Sequence, residues 1–272
     1  MGKNSSIEWT HHTFNPWWGC AKVSPACKHC YAETLANRFG GAIWGAKGTR
    51  RTFGDEHWKE PLRWNKEAKA SKKRFRVFCA SMSDVFEDRR DLDNERSKLW
   101  KLIEATPSLD WLLLTKRPEQ VSNLSPWGVD WPENVWLGTS VENQEWADIR
   151  LPQILSVPAK VRFLSCEPLL GPLNLSAHTK QGGIHWIIAG GESGPGSRPM
   201  HPDWVRGLRD FAKRKKIAFH FKQWGNFAPA PTLANSAQII HTFPDQVSMI
   251  SRNKVANGRS LDGSTHDEFP SQ

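Results

Sequence analysis

The sequence predicts an α/β fold with a parallel sheet of about seven strands. Short apolar runs recur along the chain, and each run ends in small or polar residues. Continuous apolar runs of this length are typical of strands that are buried on both faces, as in a parallel sheet. The segments between the runs are long enough for helical crossovers, and strands that alternate with helices indicate an α/β architecture.

The apolar runs supply the candidate strands. The first is expected near residues 13–17, and the others are 76–80, 111–114, 135–137, 161–164, 185–188 and 217–221. Two intervening segments have helical spacing of apolar residues, 91–106 and 202–216. The second begins with Pro202 and Asp203 and ends in a basic run, which is the charge order that the helix dipole favours. These segments are therefore predicted to be crossover helices.

Charged residues follow the predicted strands at their carboxyl ends. In α/β folds the functional site lies at this end of the sheet. The residues that collect there are Asp84, Lys116, Glu142, Glu167, Glu192 and Lys222. Six charged groups on one rim predict a polar site.

The chain is predicted to comprise a barrel over residues 1–227 and a C-terminal extension over residues 228–272. Apolar periodicity fades from Ala228 onward, and Pro229, Pro231 and Pro244 interrupt what remains. Residues 256–263 have the composition of turns. We therefore expect the extension to pack on the barrel and not to form a second domain.

The composition indicates an anionic partner and a cytoplasmic location. The formal net charge is +9, and residues 47–76 contain eleven Lys or Arg against four acidic residues. This basic segment is either a solvated surface or a nucleic-acid-facing one, and its interleaved Trp44, Trp58 and Trp64 could stack on bases. Residues 1–10 lack the apolar run of a signal peptide, and no stretch has the roughly 20 apolar residues of a membrane helix.

Three of the five cysteines, Cys20, Cys27 and Cys30, lie within eleven residues, directly after the predicted first strand. This clustering predicts a metal site, since an odd number of cysteines argues against a disulfide framework. A structural zinc site would need a fourth ligand, for which His11 or His12 is available. A catalytic zinc with three ligands and a water is the second interpretation. The third is a [4Fe–4S] cluster with three thiolates, which leaves one iron open for a small molecule.

Sequence blocks spread over nearly the whole chain resemble a phage-associated and bacterial family of unknown function with radical S-adenosylmethionine (SAM) features. The three-cysteine loop itself resembles that of radical SAM proteins, although its spacing is Cys-x6-Cys-x2-Cys and the usual spacing is Cys-x3-Cys-x2-Cys. The blocks are 15–20, 27–32, 81–84, 114–118, 138–142, 167–171, 190–194 and 258–263.

The resemblance implies a partial (β/α) TIM-like barrel of the radical SAM type. It also implies that Cys20, Cys27 and Cys30 bind the cluster and that strand-end residues bind SAM. The residues expected to contact SAM are His29, Ser81, Ser83, Asp84, Ser140, Glu142, Gly190, Gly191 and Glu192. Lys116, Arg117, Arg198 and Lys222 are expected to contact an anionic substrate, or to pair with Glu142, Glu167 and Glu192.

The function that follows is that of a radical SAM enzyme. One electron from the cluster would cleave SAM to methionine and a 5′-deoxyadenosyl radical, which would abstract hydrogen from a nucleic acid or a nucleotide, in modification or repair. The resemblance implies a three-Cys-motif partner protein and an electron donor such as flavodoxin or ferredoxin. The alternative is a zinc-stabilised basic protein that binds nucleic acid without catalysis.

Overall fold

The computed structural model describes residues 2–38, 42–179, 183–230 and 239–271, and for residues 239 and 240 it describes the backbone alone. The fold is mixed α/β, as the sequence predicts. The main sheet contains β1 (His12–Thr13), β2 (Phe75–Cys79), β3 (Leu109–Thr115), β4 (Val135–Ser140), β5 (Arg162–Cys166), β6 (Trp186–Gly190) and β7 (Ala218–Gln223). The helices are α1 (Tyr31–Arg38), α2 (Asp55–Ser71), α3 (Asp93–Glu104), α4 (Val121–Leu124), α5 (Gln144–Ser156), α6 (Pro202–Lys215) and α7 (Lys254–Asn257).

The seven strands form one sheet in the order of the sequence, β1 to β7, with parallel neighbours. The prediction of a seven-stranded parallel sheet is confirmed, and six of the seven strands overlap their predicted segments closely. The first strand is the exception, because β1 ends at Thr13 and the chain leaves the sheet after Phe14 bonds to Phe78. Residues 15–19 therefore follow the first strand and lead into the cysteine loop.

The chain forms two compact units. The first comprises Met1–Ser24, Ala32–Thr139 and Pro152–Arg162; the second comprises Pro25–Tyr31, Ser140–Leu151 and Phe163–Gln272. In the first unit, apolar residues of β2 and β3 pack with α2 and α3 around the buried Trp111. The predicted helix 91–106 is α3, which buries Leu99 and Ile103. Burial of such large side chains stabilises the unit by about 1.5–3 kcal/mol for each one.

The second unit is organised around β6, β7 and α6. The sequence prediction for α6 is confirmed, because Pro202 is its first residue and a basic run forms its last turn. His201 Nδ1 accepts a hydrogen bond from the Asp203 backbone N–H and so caps the helix. Lys216 ends α6 in the left-handed conformation, with its N–H directed at the last turn.

Both edges of the main sheet are covered by the ends of the chain. Near the N-terminus, Lys3 forms an antiparallel bridge with His12 of β1. Near the C-terminus, Asp267 forms an antiparallel bridge with His220 of β7, and Phe219 N–H donates to the Glu268 carboxylate. An uncovered strand edge would offer unpaired backbone groups to other chains, and these two segments occupy them.

The region after β7 contains a small sheet that the sequence analysis missed. Strands β8 (Phe227–Pro229), β10 (Ser248–Ser251) and β9 (Ile239–Thr242) form an antiparallel sheet in that order. Met249 and Ile250 of β10 are buried. Residues 231–238 and 272 of the predicted extension lie outside the described residues. Among the described helices, none has the length and apolar character that a membrane crossing would require.

Candidate metal centre

The first part of the cysteine loop belongs to the first unit and is fixed by its backbone. Gly19 N–H donates to Met82 O at 3.0 Å, and Gly45 N–H donates to Cys20 O at 2.9 Å. Gly19 has a φ of +113°, and an added Cβ would lie 2.2 Å from Ile43 O. Only glycine combines this conformation with such a close approach of two backbone segments. The residue that precedes the first cysteine therefore sets the direction of the backbone as it enters the loop at Cys20.

Arg117, which follows β3, holds the cysteine loop at Cys20. Its Nη1 lies 3.6 Å from Cys20 Sγ, and its Nη2 donates to Ala21 O at 2.8 Å. The same Nη1 is paired with Asp84 Oδ2 at 3.0 Å. Arg117 is buried. This guanidinium therefore connects a predicted metal ligand to the ends of two strands.

The Asp84 carboxylate accepts several hydrogen bonds, all from residues of the first unit. It accepts from the Thr115 hydroxyl at 2.8 Å and from the backbone N–H groups of Lys116 and Phe86. Together with Arg117, these contacts join the carboxyl ends of β2 and β3. The structure thus places Asp84 and Arg117, predicted as SAM and substrate ligands, in a shared buried pair that positions the loop.

The electrostatic setting of Cys20 favours the thiol over the thiolate. Burial raises the pKa of Cys20 to about 12, and the nearby Asp84 carboxylate adds to the increase, whereas Arg117 opposes it. A metal binds the thiolate, so loading the site requires release of this proton. Arg117 is the group that compensates the resulting negative charge.

The serines after β2 differ in their hydrogen bonding. The Asn15 side chain donates to Ser81 Oγ at 3.1 Å and accepts from Met82 N–H at 2.7 Å. Ser83 Oγ is buried and has no hydrogen-bond partner among the described residues. A buried hydroxyl without a partner is uncommon in a folded protein. Ser83 is therefore the predicted SAM ligand that retains an unused polar atom.

The second part of the cysteine loop belongs to the second unit, where Glu142 contacts it. Ala26 N–H, in the 3-10 turn Pro25–Cys27, donates to Glu142 Oε1 at 3.4 Å. Glu142 Oε2 pairs with Arg150 Nη1 at 2.9 Å, and both side chains are fully buried. Arg150 also donates to Ser140 O at 2.9 Å and lies over the Trp146 ring. Glu142, predicted to contact SAM, is thus a buried partner of Arg150 and of the loop backbone.

His29 lies against a glycine-rich turn after β6. An added Cβ on Gly196 would lie 2.8 Å from His29 Cε1, so the missing side chain makes room for the imidazole. The neighbouring Cys27 and Cys30 are partly exposed, as is Cys20, whereas Cys79 and Cys166 are buried within β2 and β5. None of the five forms a disulfide. The partly exposed thiols are therefore those of the predicted motif.

The strand ends of the second unit carry two ion pairs. Arg198 donates to both oxygens of Glu192, at 2.8 and 2.6 Å, and Lys222 Nζ lies 3.1 Å from Glu167 Oε1. This is the pairing that the sequence analysis offered as an alternative to substrate contact. Arg117 differs, because its carboxylate partner is Asp84.

Gly190 and Gly191 make room for protein atoms. An added Cβ on Gly190 would lie 2.9 Å from the Glu167 carboxylate, and one on Gly191 would lie 2.0 Å from Trp224 O. The space beside these two glycines is therefore occupied by protein atoms, from Glu167 and from Trp224, which follows β7.

One group of possible metal ligands other than the cysteines comes together among the described residues. Atoms of His201, Asp203 and Asp245 lie within 4.8 Å of one another. His201 Nδ1 already accepts the Asp203 N–H, and its Nε2 lies 3.0 Å from an Asp245 carboxylate oxygen without forming a hydrogen bond to a described residue. The contact that the structure shows for this histidine is therefore that of the N-cap of α6.

Sequence reasoning missed Arg50, Glu87 and Arg150, which anchor the loops around the cysteines. Arg50 and Glu87 form a buried bidentate pair at 2.6 and 2.9 Å. No spacing or composition signal marks these residues in the sequence, because a charged residue does not indicate which group it will pair with after folding. They are visible only once the strand ends are brought together.

The family comparison identifies the group to which the chain belongs. Residues 4–270 match the family described as "Protein of unknown function (DUF5131)", so the chain is a member of that family over nearly its whole length. This confirms the expectation of a family of unknown function. Neither the search of curated proteins nor the search of solved structures found a match.

Proposed function

We propose that this protein is a radical SAM enzyme in which Cys20, Cys27 and Cys30 bind a [4Fe–4S] cluster. The observation that carries the proposal is the segregation of the thiols: the three partly exposed cysteines all lie on one loop after the first strand, and the other two are buried in strands. When bound, a cluster with only three thiolates supplies an open iron for SAM and the electron that cleaves it to methionine and a 5′-deoxyadenosyl radical.

The residues around the loop fit such a group. Arg117 offers an N–H and a positive charge to Cys20 Sγ, and hydrogen bonds to cluster sulfurs are among the factors that set the reduction potential. Glu142 and Arg117 hold the loop backbone at Ala26 and Ala21. Ser83 offers a buried hydroxyl that no other described group uses. In this proposal the buried carboxylates position the loop, and Ser83 is the first candidate for contact with SAM.

The proposed barrel is a partial TIM-like barrel of the radical SAM type, and the proposed substrate is a nucleic acid or a nucleotide. The positive net charge supports an anionic substrate. Exposed cations without an ion pair among the described residues support it further: Lys47, Arg51, Lys66, Lys69, Lys72 and Lys73. The proposal includes a cytoplasmic location, a three-Cys-motif partner protein and an electron donor of the flavodoxin or ferredoxin type.

A second candidate function is a zinc-stabilised nucleic-acid-binding protein without catalysis. The same exposed cations favour it, because they serve a binding protein equally well. Zinc at ~2.3 Å from each thiolate in a tetrahedron requires sulfur atoms roughly 3.8 Å apart. The one tight group of candidate ligands among the described residues contains no cysteine.

Metal analysis and spectroscopy separate the two functions. The full-length protein is reconstituted anaerobically with iron and sulfide, and iron, sulfide and zinc are measured per chain. We expect about four irons, the brown absorption of a cluster and, after reduction, an electron paramagnetic resonance spectrum that changes when SAM is added.

Two variants make this experiment specific. Cys27→Ala is expected to lose the cluster, and the matched control Cys166→Ala, which removes a buried thiol of β5, is expected to retain it. One tightly bound zinc, no cluster after reconstitution and no response to SAM would refute the radical SAM proposal and support the binding protein.

A further inference from the structure

We infer that Trp18, Arg51 and Phe53 form a stacking site for a base of single-stranded nucleic acid, directly beside the cysteine loop. The inference deepens the proposed function by naming its substrate class, and it rests on that function for the claim that the bound strand is the substrate. We call these three residues the aromatic–arginine platform.

The platform combines aromatic surface with an uncompensated positive charge. The guanidinium of Arg51 lies 5.3 Å from the centre of the Trp18 ring and 5.8 Å from that of Phe53. The two rings meet edge to face at 5.9 Å and are only partly buried. Arg51 is exposed and has no ion pair among the described residues. A flat, electron-rich ring joined to a phosphate fits these groups, which is the chemistry of a nucleotide.

The platform is held in place before any ligand binds. Trp18 and Arg51 exchange both backbone hydrogen bonds, at 2.8 and 2.9 Å. The Phe53 ring packs on His57 of α2 at 4.4 Å, and the His57 ring is hydrogen-bonded to Asn15 O at 2.9 Å. Rigid aromatic groups lose little conformational entropy on binding, so such a surface is prepared for stacking.

The position of the platform connects it to the proposed chemistry. Trp18 precedes Cys20 by two residues, so their Cα atoms are at most about 7.6 Å apart. The intervening Gly19 is fixed by its contact with Met82. A base that stacks on Trp18 therefore brings its nucleotide next to the first proposed cluster ligand.

The cations of α2 extend this site along a strand. Residues 59, 63, 66 and 69 lie on one face of α2, opposite the buried Trp64 and Ala68. Lys66 and Lys69 are exposed, roughly 16–21 Å along the axis from the start of the helix, which follows Phe53 by two residues. A single strand is favoured over a duplex because only unpaired bases offer a free ring face.

The interpretation of the basic segment changes accordingly. Trp64 was expected to be available for stacking, but it is 3% exposed and stacks on His12 at 4.5 Å within the core. That expectation is wrong for Trp64, because the amphipathic pattern of α2 turns this residue inward. Trp18 and Phe53 are partly exposed aromatic residues that do accompany an exposed cation, Arg51.

The test is a binding titration with a fluorescein-labelled single-stranded DNA of about 12 nucleotides, followed by anisotropy over a series of salt concentrations. The full-length protein is used both before and after cluster reconstitution. We expect Trp18→Ala to weaken binding about tenfold or more with little change in the salt dependence, since stacking contributes ~1–3 kcal/mol for each base. Arg51→Glu is expected to weaken binding and to reduce the dependence on salt.

Matched variants keep the result interpretable. Lys213→Glu makes the same charge change on an exposed residue of α6 and is expected to leave the dissociation constant within about twofold. Arg51→Glu alters an exposed side chain, so it serves where Trp18→Ala fails to fold. The inference would be overturned if the Trp18 and Arg51 variants bound the oligonucleotide as tightly as wild type. It would also be overturned if wild type did not bind, or if Trp18→Ala weakened the binding of a duplex as much as that of the single strand.

A failure of the proposed enzyme function can be distinguished from a failure of the platform inference. Cys27→Ala is expected to keep the oligonucleotide affinity, because the platform does not depend on the cluster. If the protein takes up no cluster but Trp18→Ala still lowers the affinity for the oligonucleotide, the nucleic-acid site is supported and the radical SAM function is refuted. If the protein cleaves SAM but binds no oligonucleotide, the radical SAM function is supported and the nucleic-acid site is refuted.

Discussion

The neighbouring Arg50 and Arg51 offer a sharp test of how the loops around Cys20 are stabilised. Arg50 is buried, and all five of its N–H donors are used. Two donors bind the Glu87 carboxylate, at 2.9 and 2.6 Å. The other three hydrogen bonds go to the backbone carbonyls of Ile43, Gly45 and Gly48, at 2.9, 3.0 and 2.8 Å. Arg50 therefore folds residues 43–48 into the loop whose Gly45 N–H contacts Cys20 O.

The expected cost of Arg50→Ala follows from this inventory. Removing one member of a buried ion pair costs about 3–5 kcal/mol, and Glu87 would keep only the Arg117 guanidinium, at 3.9 Å. Arg51→Ala removes an exposed cation–π contact with Trp18 and Phe53, which is worth ~0.5–1 kcal/mol. Two adjacent arginines are thus predicted to differ by about 2–4 kcal/mol in their effect on the free energy of unfolding.

Urea denaturation measures both effects under identical conditions. The double variant Arg50→Ala/Glu87→Ala is expected to be more stable than the sum of the single changes predicts, because it leaves no buried charge unpaired. Equal losses for Arg50→Ala and Arg51→Ala, or strict additivity with Glu87→Ala, would refute this account of the loop.

Two further predictions concern backbone packing and pH dependence. Gly191→Ala is expected to lower the free energy of unfolding by about 1–3 kcal/mol or more, because the new Cβ would lie 2.0 Å from Trp224 O. In the same urea assay, Gly207→Ala on α6 is expected to raise the free energy of unfolding by up to ~1 kcal/mol, because its new Cβ would have no neighbour within 4 Å. Hydrogen bonds from Arg206 and a second arginine of α6 lower the pKa of Asp262 from 3.8 to about 2. The stabilisation by Asp262 is therefore present above pH 3.8 and is lost as the pH falls towards 2. In Asp262→Asn, the urea midpoint should consequently change less with pH over this range than in wild type. An unchanged plot of midpoint against pH would contradict the stabilising role of the Asp262 carboxylate.

The main sheet could be predicted from the sequence because its signal is local. Strands such as β3 and β6 are continuous apolar runs, since both faces of a parallel sheet are covered. α6 carries its boundaries in its own residues, from Pro202 to the basic last turn. The small sheet β8–β10–β9 gave no comparable signal, because its strands are three or four residues long and separated by proline-containing segments.

The cysteines of the candidate site could be identified from the sequence, but the residues that hold their loop could not. Cys20, Cys27 and Cys30 are close in sequence, so their spacing is visible directly. The groups that hold the loop come from distant positions, as with Arg117, which reaches Cys20 across 97 residues. A sequence gives the type of a charged residue but not its partner, and Glu142 is an example of a strand-end carboxylate whose partner is the buried Arg150.

The central claim is that three thiolates of one loop support reductive cleavage of SAM. The most direct measurement is the anaerobic formation of 5′-deoxyadenosine and methionine from SAM after the reconstituted, full-length protein is reduced. The account predicts that wild type and Cys166→Ala form both products and that Cys27→Ala forms neither. Intact SAM in the presence of a wild-type protein that holds about four irons, or equal product from Cys27→Ala, would contradict it.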